Sequence, residues 1–136
     1  MSPNDNIRAI LDNCRSVAVV GLSPKPWRDS HEVARYMQSQ GWRIIPVNPN
    51  ATEKILGETV YPDLLAAARH EHIELVDVFR NSDDVPPVAR QAVAIGARAL
   101  WLQLGIVNEE AAGAARIAGL MVVQDKCLKV EHARGG

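Results

Sequence analysis

The feature that most constrains the fold is an alternation of short apolar runs and helical segments along the whole chain. The apolar runs are rich in β-branched residues, which is typical of strands buried on both faces of a sheet. This order predicts an α/β fold, a Rossmann-like doubly wound sheet of about five mostly parallel strands with helices on both faces. The predicted strands lie in segments 16–21, 42–48, 73–79, 98–105 and 120–125, and the predicted helices in 4–13, 30–41, 61–70, 82–96 and 108–119.

Composition limits the functional classes. The chain has 136 residues, 47% of them hydrophobic, and we expect one domain covering residues 1–136. Its formal net charge of −1 provides no overall field for binding nucleic acid or an anionic membrane surface. No apolar run approaches the roughly 20 residues that cross a bilayer. Cys14 and Cys127 have neither a metal-ligand spacing nor a disulfide pattern, so we expect a cytoplasmic protein without a metal site.

Polar residues and glycines mark the ends of several predicted helices. Asp84 and Asn108 are predicted N-caps, because their side chains can accept hydrogen bonds from the first helical turn. Gly41, Gly96 and Gly119 are predicted to end helices, where a positive φ suits glycine.

The carboxyl edge of the predicted sheet is where a ligand site is expected. In open parallel sheets, ligands bind beyond the carboxyl ends of the strands, at the point where the strand order reverses. The residues that follow the predicted strands are therefore the candidates for a site. They lie in Gly21–Ser30, Asn48–Asn50, Phe79–Ser82, Gln103–Ile106 and Asp125–Cys127.

The loop after the first strand, GLSPKPWRDS, has the chemistry of a phosphate site. Gly21 allows close approach of the backbone to a ligand, and the next helix begins with unpaired N–H groups. Ser23 and Ser30 can donate hydrogen bonds, and the loop carries two cations, Lys25 and Arg28. The alternative is plain turn chemistry, in which Gly21 makes the turn and Asp29 or Ser30 caps the helix, Asp29 in a capping box with Glu32.

Two common nucleotide fingerprints are missing from this loop. NAD-binding folds need G-x-G-x-x-G and an acidic residue about 20 positions later, but GLSPKPW has one glycine and IIPVNPN has no carboxylate. The GK[ST] sequence of a P-loop is absent as well. NADP remains an alternative, because Lys25 or Arg28 could meet a 2′-phosphate.

Several blocks of the sequence, in order, closely resemble the small stand-alone CoA-binding domain proteins. The blocks are VAVVGLSPKPWRDSHEVARYM, GWRIIPVNPNATEKILGETVYPDL, LVDVFRNSDDVP and ALWLQLGIVNEEAAGAARIAGLMVVQDKC. These proteins are in turn similar to the CoA-binding domain of the succinyl-CoA synthetase alpha subunit. The resemblance extends from about residue 15 to about residue 134.

The resemblance implies that coenzyme A binds across the edge of the sheet. The pyrophosphate would lie on the Gly21–Pro24 loop and the helix start, with Lys25 and Arg28 as charged donors. Val47–Pro49 would run beside the nucleotide, Phe79 would cover the adenine or the pantetheine, and Arg80 would pair with phosphate. The implied CoA-binding residues are Gly21, Leu22, Ser23, Pro24, Lys25, Arg28, Ser30, Val47, Asn48, Pro49, Phe79 and Arg80. Gln103 and Gly105 are secondary candidates near the pantetheine end, and Trp101 is expected in the core.

The ligase reaction of the resembled synthetases needs a phosphorylated histidine and a nucleotide-activating domain. None of the four histidines follows a glycine-rich loop, and 136 residues leave no room for the second domain. We therefore expect a protein that binds CoA or acyl-CoA without ligase activity of its own. The alternatives are an NADP-type oxidoreductase and an acyl- or thiol-transfer enzyme that depends on Cys127.

Cys127 and a predicted alanine-rich helix each allow two interpretations. Cys127 follows the fifth strand beside Lys126, a cation that favours a thiolate, but free cysteines are commonly buried small apolar residues. The small residues of EEAAGAARIAG suit packing on the sheet, yet they would also allow close contact between subunits. A homodimer or an unidentified protein partner therefore stays an alternative.

Overall fold

The computed structural model of the chain describes residues 3–135. Five strands alternate with helices, as the sequence predicts. The strands are β1 (Ser16–Val20), β2 (Arg43–Val47), β3 (Leu75–Val78), β4 (Ala99–Leu102) and β5 (Met121–Val123). The helices are α1 (Pro3–Asn13), α2 (Asp29–Ser39), α3 (Leu64–Ala68), α4 (Val85–Ala94), α5 (Glu109–Ile117) and α6 (Leu128–Gly135), and a 3-10 turn (Ser82–Asp84) precedes α4.

The strands form one parallel sheet in the order β2-β1-β3-β4-β5. The chain first builds outward from β1 to β2 and then returns to the other side of β1, so the order reverses between β1 and β3. Because every strand pair is parallel, all five carboxyl ends lie along one edge. In sheets of this order the ligand crevice opens at that reversal point.

Apolar side chains cover both faces of the sheet. One face is packed by α1, α2 and α6, which contribute residues such as Ile10, Met37 and Leu128. The other face is packed by α3, α4 and α5, where buried alanines allow the helices to lie close to the strands. All residues of β1, β3 and β4 are buried, which explains why these strands are apolar without alternation, apart from Ser16 in β1 and Asp77 in β3. Trp101 is fully buried, as expected.

The predicted helix ends are correct in some cases and wrong in others. Asn108 caps α5, because its side chain accepts a hydrogen bond from the N–H of Ala111. Asp84 does not cap α4: its backbone is already helical, since the 3-10 turn leads directly into the helix, and its side chain makes no cap bond. The capping box at the start of α2 is also wrong, because Arg28 is the N-cap residue and no side chain caps this helix.

The helix α6 is absent from the sequence prediction, which treats the residues after Cys127 as a tail. Leu128 is fully buried against the α1 and α2 side of the sheet. His132 lies 2.9 Å from the hydroxyl oxygen of Tyr36, through its Nδ1 atom, and stacks edge-on against the Tyr36 ring. These contacts hold α6 on α2. No helix in the part of the chain described here has the length and apolar character to cross a membrane.

Candidate functional site

The loops after β1 and β3 meet at the carboxyl edge, where the strand order reverses. Gly21 has a φ of +90° and its N–H donates to the carbonyl of Val47 at 2.8 Å. A Cβ on Gly21 would overlap the carbonyl oxygen of Phe79 and lie 3.1 Å from the Arg80 side chain. The missing side chain therefore makes room for the neighbouring loop. Gly21 also lines the cleft between the loops, so its contact with a ligand stays a prediction.

Hydrogen bonds fix the shape of the β1 loop. The N–H of Ser23 donates to Ser30 Oγ at 3.0 Å, and the N–H of Lys25 donates to Ser23 Oγ at 3.1 Å. The carbonyl oxygen of Ser23 lies 2.9 Å from Nδ1 of His31, and since a carbonyl only accepts, the imidazole is the donor. The two serines thus act first as acceptors for the loop backbone. Their hydroxyl hydrogens are not committed by these two bonds.

The loop and the start of α2 line a cleft of about 400 Å³, which we call the loop cleft. Both predicted cations, Lys25 and Arg28, line it, and no ion pair among the described residues involves either of them or Arg80. Asp29 also lines it and brings a carboxylate to the cleft, although it was not among the predicted CoA-binding residues. The lining residues are Gly21, Ser23, Lys25, Arg28, Asp29, Ser30 and Phe79.

A larger cleft of about 710 Å³, the strand-edge cleft, adjoins the loop cleft and shares Asp29 and Phe79 with it. Four of the five segments that follow strands contribute to its walls, and the segment 48–50 does not. The start of α6 completes the wall with Lys129 and Val130. The lining residues are Asp29, Glu32, Val33, Phe79, Arg80, Asn81, Ser82, Gln103, Leu104, Gly105, Ile106, Cys127, Lys129 and Val130.

Asn48 braces the β1 loop from the neighbouring strand end. Its Nδ2 donates to the carbonyl of Leu22 at 2.9 Å, and its Oδ1 accepts from the N–H of Asn50 at 2.9 Å. Both ends of the side chain are therefore engaged within the protein. Its contribution to a site is to fix the β1 loop against the segment that follows β2.

The remaining predicted residues lie in different surroundings. Leu22 and Val47 have buried side chains that belong to the core, so a ligand could meet only their backbone. Pro24 is exposed on the loop surface. Pro49 and Arg80 line a smaller pocket of about 160 Å³ on the α3 and α4 side of the sheet.

Two features of the site were missed in the sequence. The α6 residues Lys129 and Val130 were missed because no helix was predicted after Cys127. The available signal was Leu128 and His132, which are four residues apart, as on one face of a helix. Trp27 is 71% exposed in the β1 loop, whereas Trp42 and Trp101 are buried. The Nζ atom of Lys25 lies over the Trp27 ring, 6.0 Å from its centroid, in a cation–π arrangement.

Asp77 lies in the core next to the site. It belongs to β3, is wholly buried, and points to the same face as Phe79, two residues later. Neither carboxylate oxygen has a hydrogen-bond partner within the described chain. Burial raises the pKa of Asp77 well above its ordinary value. No group of three or more His, Cys, Asp or Glu among residues 3–135 could hold a metal ion.

Comparison with known proteins identifies relatives of the whole chain. It is 42% identical to YneT, an uncharacterized protein of Bacillus subtilis (strain 168), over 127 residues that cover 93% of this chain and 92% of YneT. It is 37% identical to a hypothetical protein of Pyrococcus horikoshii OT3, with a TM-score of 0.89 over 96% of this chain and 90% of that one. A protein of Thermus thermophilus gives 35% identity and a TM-score of 0.88 over 98% of both chains.

A family comparison bears directly on the candidate site. The family described as the CoA binding domain matches residues 15–133, a range that contains β1 to β5, both clefts and the braced β1 loop. The resemblance seen in the sequence is therefore confirmed, and the chain belongs to the CoA-binding domain family.

Proposed function

We propose that the protein binds coenzyme A or an acyl-CoA at the carboxyl edge of its sheet, as a single domain of the cytoplasm without ligase activity of its own. The continuity of the two clefts carries this proposal, because they share Asp29 and Phe79. The loop cleft has an excess of positive charge, from Lys25 and Arg28 against Asp29. The strand-edge cleft is larger, and the charged residues of its lining balance. CoA has the same asymmetry, with phosphates at one end and a thin arm at the other. Family membership supports the same ligand.

The phosphates fit the Lys25 and Arg28 side of the loop cleft. An exposed lysine or arginine beside phosphate oxygens makes charge-assisted hydrogen bonds. The uncapped start of α2 adds N–H groups and a partial positive charge. Asp29 opposes an anion at its own side of the cleft, so the phosphates would lie away from it.

The pantetheine arm fits the strand-edge cleft. Phe79 lies at the junction of the two clefts and offers an apolar surface to the arm. Beyond it, Gln103 and Gly105 line the wall formed by the end of β4. The thiol or thioester end of CoA would then lie near the start of α6.

The absence of ligase activity is supported by the positions of the histidines. None of the four lines either cleft. His31 is engaged by the carbonyl of Ser23, His132 lies beside Tyr36, and His70 and His72 are exposed in the connection before β3.

Calorimetric titration with CoA, acetyl-CoA, dephospho-CoA and NADP tests the proposal. CoA and acetyl-CoA are expected to bind and NADP is not, because NADP lacks the pantetheine arm. The loss of affinity with dephospho-CoA measures the contact with the 3′-phosphate. Each tenfold loss corresponds to about 1.4 kcal/mol of binding free energy. Intrinsic fluorescence gives a second readout, since the exposed Trp27 lies in the β1 loop. Binding of NADP alone, or of no compound, would overturn the proposal.

A further inference from the structure

We propose that Cys127 takes CoA covalently, by thiol–disulfide exchange with a CoA disulfide, so that the bound cofactor is held as a Cys127–CoA mixed disulfide. This rests on the proposed function. It adds a modification site to the cleft and names the reacting compound, a disulfide of CoA.

Cys127 lies in the wall of the strand-edge cleft, where the arm of a bound CoA would end. It is half-buried and lines this cleft together with Gln103 and Phe79. It does not line the loop cleft, which holds Lys25 and Arg28. The cysteine is thus separated from the phosphate end in the way that the thiol of CoA is separated from its phosphates.

Three hydrogen bonds fix the segment that carries Cys127 against the end of β4. The indole nitrogen of Trp101 donates to the carbonyl of Lys126 at 2.8 Å. The N–H of Gly105 donates to Asp125 Oδ1 at 2.6 Å, and the N–H of Lys126 lies 3.4 Å from the carbonyl of Leu102. Both residues that precede Cys127 are therefore anchored, and the cysteine has a defined place in the cleft wall.

Gln103 gives an independent indication that a ligand enters this part of the cleft. It is only 4% exposed, and its Oε1 accepts a hydrogen bond from the N–H of Leu128 at 2.9 Å. This bond fixes the orientation of the amide. The Nε2 atom donates none of the hydrogen bonds found among the described residues, although the side chain lines the cleft. Because Nε2 is not among the buried unpartnered side-chain atoms of the described chain, it keeps access to the cleft, where it can donate to an amide carbonyl of the pantetheine arm.

The exchange needs only two reactants, Cys127 and the CoA disulfide, and its atoms and electrons balance between them. The Cys127 sulfur, as thiolate, attacks one sulfur of the CoA disulfide; the old S–S bond breaks and a new one joins Cys127 to CoA. The second CoA leaves as a thiolate and takes up a proton from solvent. No other oxidant is needed, because the disulfide supplies the oxidised sulfur.

Cys14 provides an internal control. It is fully buried, and burial first and the Glu74 carboxylate second raise the pKa of its thiol. Both effects disfavour the thiolate, so Cys14 is expected to stay unmodified.

Intact mass spectrometry under non-reducing conditions tests the inference. The reduced protein is incubated with CoA disulfide or with oxidised glutathione, which has the same bond but no nucleotide. We expect one CoA adduct on Cys127, reversed by dithiothreitol, forming at least about tenfold faster than the glutathione adduct because binding raises the local concentration. Cys14→Ser is expected to keep the adduct and Cys127→Ser to lose it.

Calorimetry with reduced CoA separates this inference from the proposed function. If wild type and Cys127→Ser both bind CoA but CoA disulfide gives no adduct, the inference is wrong and the proposed function stands. Equal labelling rates with the two disulfides, or labelling of Cys14, would also overturn it. If CoA does not bind at all, both fail.

Discussion

Gly21 sets the distance between the two loops that form the candidate site. Its positive φ and its missing side chain serve separate purposes, because the first makes the turn and the second admits the Phe79 carbonyl. Gly41 shares the same φ of +90°, but no atom lies within 4 Å of the place of its Cβ. These two glycines can therefore be compared to separate steric overlap from backbone strain.

Gly21→Ala is expected to lower the free energy of unfolding by about 2–4 kcal/mol, and Gly41→Ala by about 1–2 kcal/mol. The first substitution adds both strain and overlap, whereas the second adds strain alone. Urea denaturation of both variants measures the difference. Equal losses would show that the two loops do not approach as closely as described.

Asp77 is a carboxyl group whose surroundings favour its neutral form. It is wholly buried in β3 without a hydrogen-bond partner, and desolvation raises its pKa. An acid with a raised pKa binds more protons in the folded state than in the unfolded state. Its contribution to stability is therefore greatest at low pH and is lost as the pH rises from about 4 toward the folded-state pKa.

Asp77→Asn removes this titration while keeping the size of the side chain. The variant is expected to gain stability relative to wild type by about 1.4 kcal/mol for each pH unit above the ordinary range of aspartate, until Asp77 ionises in the folded state. Urea denaturation from about pH 5 to about pH 8 measures the gain. A gain that does not change with pH would contradict a neutral Asp77.

Single residues also show what the sequence could and could not reveal at the site. Lys25 and Arg28 were found because a cation in a loop after the first strand is visible in the sequence. The roles of Gly21 and Asn48 were not, because each depends on an atom of another loop: the Phe79 carbonyl for Gly21 and the Leu22 carbonyl for Asn48. Contacts between loops distant in sequence leave no local pattern.

Among the helices, the ends differ in how they are stabilised. Asn108 links α5 to its surroundings, since it accepts from the N–H of Ala111 and donates to the carbonyl of Ser82. Asp84 precedes α4 in sequence in a similar way but makes no cap bond. The two residues have comparable cap propensity, so only the structure distinguishes them.

Asn108→Ala is expected to destabilise the protein by about 1–2 kcal/mol, because it removes the cap of α5. The matched substitution Asp84→Ala is expected to change stability by less than about 0.5 kcal/mol. Thermal and urea denaturation check both. A larger loss for Asp84→Ala than for Asn108→Ala would contradict the assignment of the caps.

Helix α6 shows where prediction of elements failed. It is a short helix at the end of the chain, and its place is fixed by tertiary contacts of Leu128 and His132 with the α1 and α2 side. Longer elements such as α2 and α4 were predicted because their own apolar spacing is sufficient. A short helix stabilised mainly by its neighbours carries little of that signal.

The whole molecule brings the predicted segments together through its sheet order. Alternating strands and helices were enough to predict a parallel sheet, since a parallel connection needs a crossover. The order β2-β1-β3-β4-β5 then places the loops after β1 and β3 side by side. The sequence could not give that order, and it therefore could not show that the site divides into two adjoining clefts.

The central claim is that the β1 loop binds the phosphates of CoA, and calorimetric titration of CoA into matched charge variants tests it most directly. Lys25→Gln/Arg28→Gln removes two cations from the loop cleft. The control variant, Arg69→Gln/Arg116→Gln, also removes two positive charges, from exposed residues at the C-terminal end of α3 and in the last turn of α5. We expect the first pair to weaken CoA binding by about 10- to 100-fold and the second by less than about twofold. Equal weakening in both, or no binding of CoA by the wild type, would contradict the account.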